Sequence, residues 1–111
     1  MWSYIRLSKM NEGNSKGRGV FMHYVYIVEC SDQTLYTGYA KDVFKRLHEH
    51  NHTKAGAKYT RSRRPVELRY IENFNSRSEA CKRESEIKRL KREEKLELIK
   101  EYMEKESINS Y

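Results

Sequence analysis

The sequence lacks a long apolar run: no stretch approaches the roughly 18 consecutive apolar residues that a membrane span requires, and mean hydropathy is −1.03. An integral membrane protein is therefore not expected. The opening residues MWSYIRLSKMNEGNSKGRGVF contain no apolar block and no small-residue cleavage site, so no secretory signal is read there and a cytoplasmic setting is expected. Cysteine is also scarce. Cys30 and Cys81 are far apart and form no C-x-x-C pair, which argues against both a structural zinc site and a disulfide framework. Both are expected as reduced thiols in or near the core. No internal repeat and no low-complexity tract is present. Only 37% of the 111 residues are apolar and 35% are charged, enough for one domain built of short strands and amphipathic helices.

What is abundant is positive charge. Lys and Arg number 23 against 16 Asp and Glu, a net charge of +7, which points to a polyanionic partner where the basic residues cluster. Between Lys54 and Arg69 the residues Lys54, Lys58, Arg61, Arg63, Arg64 and Arg69 face a single acid, Glu67. From Arg77 to Lys100, by contrast, basic and acidic residues are mixed, as on the solvated face of helices.

Residues 1–21 are polar and show no sustained period, so a flexible arm is expected, with Met22 an alternative start of translation. HYVYIVEC over His23–Cys30 and TLYTGY over Thr34–Tyr39 are rich in β-branched and aromatic residues, and predict a hairpin across Ser31-Asp32-Gln33. With a three-residue loop, Val28 pairs with Tyr36 and Tyr26 with Gly38, so Tyr26 and Tyr36 share one face of the sheet as diagonal neighbours. A shift of one residue would separate them. Asp42–His50 carries Val43, Phe44 and Leu47 at helical spacing, and Arg46 and His50, four apart, lie on one side of that helix. A basic loop from Asn51 to Pro65 follows. Val66–Phe74 then predicts a third strand with Val66, Leu68, Tyr70 and Phe74 alternating.

Ser76-Arg77-Ser78-Glu79 matches a capping box and opens a helix over Arg77–Leu90. Glu84 projects from its apolar stripe, about 40° round the helix from Ala80. A last helix is expected over Glu93–Met103, with Leu96, Ile99 and Met103 on one side, and the end 104–111 as a disordered tail.

An inward acid, two tyrosines, an arginine and a histidine are what phosphodiester cleavage needs: a hard carboxylate for a divalent cation, a group to deprotonate water, and a cation for developing charge. Each also has an ordinary structural reading. Glu84 and Arg83 could satisfy one another as a partly buried salt bridge, the tyrosines could be strand packing, and Gly38 marks a bulge or a close approach to the backbone. His48, His50 and His52 lack a third ligand at metal spacing and read as solvated or nucleic-acid-contacting. Lys54, Lys58, Tyr59, Arg61, Arg63 and Arg64 form either a phosphate-tracking loop with one stacking aromatic or a solvated loop.

The ordered set Tyr24-Val25-Tyr26, then Tyr36-Thr37-Gly38 ten positions on, Arg46 ten after Tyr36, and Glu84 in a later helix resembles the GIY-YIG nuclease superfamily. YVYIVECSDQTLYTG, KRLHEHN and GAKYTRSRRP look like its small stand-alone bacterial branch, over about His23 to Ile99. The resemblance implies an α/β domain, a three-stranded antiparallel sheet flanked by helices in the order β-β-α-β-α-α, over residues 22–103. It also implies hydrolysis of nucleic-acid phosphodiesters, DNA in the first place, with one divalent metal, Mg²⁺ or Mn²⁺. Tyr26 would activate water, Tyr36 would position the phosphate, Arg46 would hold its charge, His50 would support them, and Glu84 would ligate the metal. Tyr24 and Thr37 stand where the motif has Gly and Ile. Tyr39 stands where repair relatives carry Lys, and no Asn occurs between Glu84 and Ile108. Little sequence specificity is expected, because no element suited to reading a groove is evident. From the same residues, a binding module that keeps the fold without efficient cleavage is the alternative, and a protein-interaction domain a third.

Overall fold

Where β-branched and aromatic residues concentrate, the computed structural model has strands. It describes residues 22–109, so the expected arm over 1–21 lies outside the described residues. Strand β1 (His23–Glu29) pairs antiparallel with β2 (Leu35–Ala40) on one side and β3 (Glu67–Phe74) on the other, so it is the middle strand of a sheet ordered β2-β1-β3. Between β2 and β3 lie helix α1 (Val43–His52) and the one-turn helix α2 (Lys58–Arg61); α3 (Arg77–Lys88) and α4 (Arg92–Asn109) follow β3. The α/β architecture is the expected one, with α2 added inside the segment read as loop.

The hairpin has the expected register, Val28 against Tyr36 and Tyr26 against Gly38. The Cys30 N–H donates to the Thr34 carbonyl at 2.9 Å, and the Gln33 N–H to the Cys30 carbonyl at 2.9 Å. That turn requires Gln33 to take a left-handed conformation, φ 69°, a region costly for any residue with a Cβ. Asp32 holds the turn by accepting from the Thr34 amide at 3.2 Å and the Thr34 hydroxyl at 2.6 Å.

The two faces of the sheet build two cores. Tyr24, Tyr26 and Val28 with Leu68 and Ile71 pack against Val43, Phe44 and Leu47 of α1, whereas Val25, Ile27 and Tyr70 pack against Ala80, Ile87 and Ile99 of α3 and α4. Every residue of β1 from Tyr24 to Val28 is buried, as expected of a central strand covered on both faces. The simple alternation expected in β3 is broken. Ile27 pairs with Tyr70 and Val28 with Leu68, leaving Arg69 as a bulge. The extra residue changes the parity of the strand, so Leu68 and Ile71 share one core and Tyr70 joins the other.

Helix starts follow their capping residues. The Asp42 side chain accepts from the Lys45 amide at 3.0 Å, and the Ser76 hydroxyl accepts from the Glu79 amide at 3.2 Å while donating to the Glu79 carboxylate at 3.0 Å. The last helix differs from expectation at two points. It continues through residues 104–109, where a tail is expected, because no Gly or Pro interrupts the run and an established helix propagates cheaply. It also seats on β3 through Leu98, Ile99, Tyr102 and Met103, leaving Leu96 41% exposed. Cys30 is buried, Cys81 half-buried, and both are free. No helix among the described residues is long and apolar enough to cross a membrane.

Replacing Gln33 with Gly should raise stability by up to about 1 kcal/mol, the relief of the left-handed penalty less the extra entropy of glycine. A denaturant midpoint for Gln33→Gly above wild type, and one for Gln33→Val below it, checks the turn.

Candidate active site

Tyr26 points from the centre of β1 across β2, and Gly38 is what lets it do so. A Cβ added at Gly38 would lie 2.4 Å from the Tyr26 hydroxyl oxygen and 2.6 Å from Cζ. The space beside Gly38 is thus filled by the Tyr26 ring. The phenol ends 2.8 Å from Nε2 of His50, on the last turn of α1. His50 is fully buried and Tyr26 is 1% exposed, so the two polar tips satisfy each other in the absence of competing solvent.

The other nitrogen of His50, Nδ1, lies 2.8 Å from the Thr60 hydroxyl. Thr60 donates that hydroxyl's proton to the Ala57 carbonyl at 2.9 Å and is itself fully buried. The loop can fold back this closely because Gly56 has no side chain. A Cβ there would be 2.6 Å from the Glu49 carbonyl oxygen and 2.9 Å from the His50 Cα.

Tyr36 packs edge-on to His50 with ring centroids 5.4 Å apart, as Tyr26 does at 5.8 Å. The two phenols therefore converge on one imidazole from the same face of the sheet. Arg46 stands one turn before His50. Its Nη1 donates to Glu49 at 2.9 Å and to the Ala55 carbonyl at 2.8 Å, which fixes the guanidinium beside the Tyr26 hydroxyl.

These surroundings set the proton affinities. Burial drives the Tyr26 phenol far above its ordinary range, with the Tyr36 and Glu84 groups adding and the Arg46 cation opposing. Burial lowers His50 to about 4, reinforced by the Arg46 and Arg64 cations and opposed by Glu49. At neutral pH the pair is thus a phenol beside an uncharged imidazole.

Glu84 comes from α3, which packs on β1 and β2. The Glu84–Arg83 pair read as one alternative for this helix does not form: Arg83 turns to Glu72 at 3.0 Å and Glu86 at 3.3 Å. The Glu84 partner is instead Lys88, whose Nζ lies 3.2 Å from Oε2; the Glu84 side chain is 20% exposed. Its charge reaches the Tyr26 phenol. Among the described residues no three His, Cys, Asp or Glu side chains converge on one point. His48 and His52 have ring centroids 4.7 Å apart and line an outer cleft with Phe44, Leu47 and Asn51.

The basic segment divides. Lys54, Lys58 and Arg61 are exposed. Arg64 is not part of an open surface: it donates to the carbonyls of Glu49, His50 and Thr53, capping the negative end of α1. Arg69 pairs with Glu29 at 2.9 Å and Glu67 at 3.0 Å. Arg63 lies 3.9 Å from the centroid of the Tyr59 ring and 3.1 Å from Asp32, and Tyr59 stacks on Tyr36 at 5.9 Å. Tyr59 thus forms an outer wall of the tyrosine cluster, with Arg63 over it. Sequence reasoning missed Thr60 and the role of Gly56. A glycine in a basic loop was the one available signal, and it reads equally as a break.

Comparison with known proteins gives the family. The model of the GIY-YIG catalytic domain matches residues 22–97, so the chain belongs to the GIY-YIG family, a family of nucleases. A UPF0213 protein of Syntrophus aciditrophicus (strain SB) is 57% identical over 83 residues, 75% of this chain and 95% of that protein. A UPF0213 protein of Staphylococcus saprophyticus is 60% identical over 79 residues, covering 71% and 95%. The solution NMR structure of the protein EF2693 from E. faecalis is similar over 74% of this chain and 86% of that one, at 40% identity and a TM-score of 0.52.

Two outcomes test the cluster. Gly38→Ala should cost about 1–3 kcal/mol, the range for overpacking a closed site, because the new Cβ would meet the buried Tyr26 phenol; chemical denaturation measures it. Stability should also fall as pH drops from about 6.5 to about 4, where the unfolded chain protonates His50 and the folded one does not, by at most roughly 3 kcal/mol. Urea midpoints across that window should lose this part of their slope in His50→Gln.

Proposed function

We propose that this protein is a divalent-metal-dependent endonuclease that hydrolyses nucleic-acid phosphodiester bonds, DNA foremost, with little sequence preference. The observation that carries the reading is the 2.8 Å contact between the Tyr26 hydroxyl and His50 Nε2, with Tyr36 and Arg46 against the same pair. Family membership supports nuclease chemistry and a nucleic-acid partner. Two free cysteines suit a reducing, cytoplasmic setting.

In this reading water attacks phosphorus, the new O–P bond forms, and the bond to the leaving sugar oxygen breaks. The water proton passes to the Tyr26 oxygen as the Tyr26 proton passes to His50 Nε2. A phenol with so high a proton affinity is not a standing phenolate at neutral pH, so the two transfers are coupled. The leaving alkoxide takes its proton from solvent. Arg46 holds the developing phosphate charge, and the Tyr36 hydroxyl orients the phosphate. A phosphate anion bound beside Arg46 also offsets the cation that weakens His50 as a base.

Glu84 is the residue that would hold the metal. A single hard carboxylate without sulfur or clustered imidazole donors fits Mg²⁺ or Mn²⁺, which keep several waters, and does not fit zinc. When bound, such an ion supplies Lewis-acid polarisation of the phosphoryl oxygen. The exposed Lys54, Lys58 and Arg61 would follow the backbone of the substrate, whose charge they meet without reading its bases.

Purified protein incubated with single-stranded, duplex and branched DNA should cut in Mg²⁺ or Mn²⁺ and not in chelator, and Tyr26→Phe or Glu84→Ala should lower cleavage by about 100-fold or more. Salt-sensitive binding without cleavage on any substrate would establish a binding module instead. Because the accepting base is lowered to about 4, kcat/KM should stay flat from about pH 7 to about pH 5, where a histidine base of ordinary affinity would already have lost activity.

A further inference from the structure

Resting on that reading of the site, we propose that Thr60 is a positioning residue: its hydroxyl fixes His50 as the Nδ1-protonated tautomer, leaving Nε2 bare for the Tyr26 proton. The argument is one of counting protons. Thr60 Oγ1 carries a single hydrogen, and its neighbour at 2.9 Å is the Ala57 carbonyl, which only accepts. Toward His50 Nδ1, 2.8 Å away, Thr60 therefore presents a lone pair, and Nδ1 must bring the hydrogen. A neutral imidazole has one N–H, so Nε2 has none. The Tyr26 hydroxyl, 2.8 Å from Nε2, is then the donor. His50 and Thr60 are each 0% exposed, so water does not substitute for the link between them.

The opposite tautomer would put the Nδ1 lone pair against that of Thr60 unless the threonine hydrogen left Ala57. It would also turn Nε2 into a donor toward Tyr26, so that the phenol could no longer pass its proton inward. Thr60 thus acts through His50 and touches no reacting atom. The Ala57 carbonyl that orients Thr60 also accepts the amides of Thr60 and Arg61, each at 3.0 Å. The one-turn helix α2 therefore serves to present a hydroxyl whose hydrogen is already committed.

Nitrogen-15 NMR of the full chain at neutral pH reports which ring nitrogen is protonated, with the His50 signals identified by their loss in His50→Gln. His50 should be protonated at Nδ1 in wild type and in Thr60→Ser, and should shift toward Nε2 protonation in Thr60→Val. In parallel, Thr60→Val should lower kcat for DNA cleavage by about 10- to 100-fold with KM little changed, and Thr60→Ser should restore it. An Nε2-protonated His50 in wild type overturns the proposal, as does an unchanged tautomer or unchanged kcat in a folded Thr60→Val. If Thr60→Val does not fold, the wild-type and Thr60→Ser spectra decide. Absence of cleavage by wild type on every substrate would refute the nuclease reading, while the tautomer measurement would still decide the role of Thr60.

Discussion

A phenol and an imidazole buried with no solvent between them govern this structure. Each polar tip taken out of water must be paired or costs more than it contributes, and Tyr26 and His50 are arranged so that each answers the other. Much of the nearby architecture follows from that requirement. Gly38 leaves room for the ring, Gly56 lets the basic loop approach α1, and Thr60 satisfies the far nitrogen. A core assembled for packing alone would place aliphatic side chains at these positions. A proton-carrying pair at these positions is what the proposed chemistry requires.

Charge is distributed under the same constraint. Along the chain the stretch from Lys54 to Arg69 reads as one positive field. In three dimensions Arg64 is occupied by the carbonyl end of α1, Arg69 by Glu29 and Glu67, and Arg63 by Asp32 and the face of Tyr59. The remaining Lys54, Lys58 and Arg61 are exposed. Local sequence density of Lys and Arg therefore overstates the surface open to a polyanion wherever helix ends and cross-strand acids compete for the same groups.

The hairpin and the approach of Tyr26 to Tyr36 were legible because strand alternation is a local property, and the register followed once Ser31-Asp32-Gln33 formed a three-residue loop. The helix α1 was equally plain from Val43, Phe44 and Leu47 at helical spacing, although Asp42 proves to be its cap and not its first residue. The parity change at Arg69 was not, since a bulge leaves no local mark when its neighbours Leu68, Tyr70 and Ile71 are all apolar. Nor could the partners of Glu84 be told apart. Arg83 and Lys88 are both near it on the helix, and Arg83 is drawn away by Glu72 of β3 together with Glu86. Thr60 was invisible for the same reason, as its contact with His50 depends on a loop that returns to a helix ten residues earlier.

The row formed by Tyr36, Tyr59, Arg63 and Asp32 joins the start of β2 to the tip of the hairpin by ring on ring, cation on ring and cation on carboxylate. An exposed residue of the hairpin turn is thereby joined, through Arg63 and Tyr59, to a half-buried ring that packs on His50. Surface position alone thus understates what Asp32 touches: two side chains, Arg63 and Tyr59, stand between it and Tyr36.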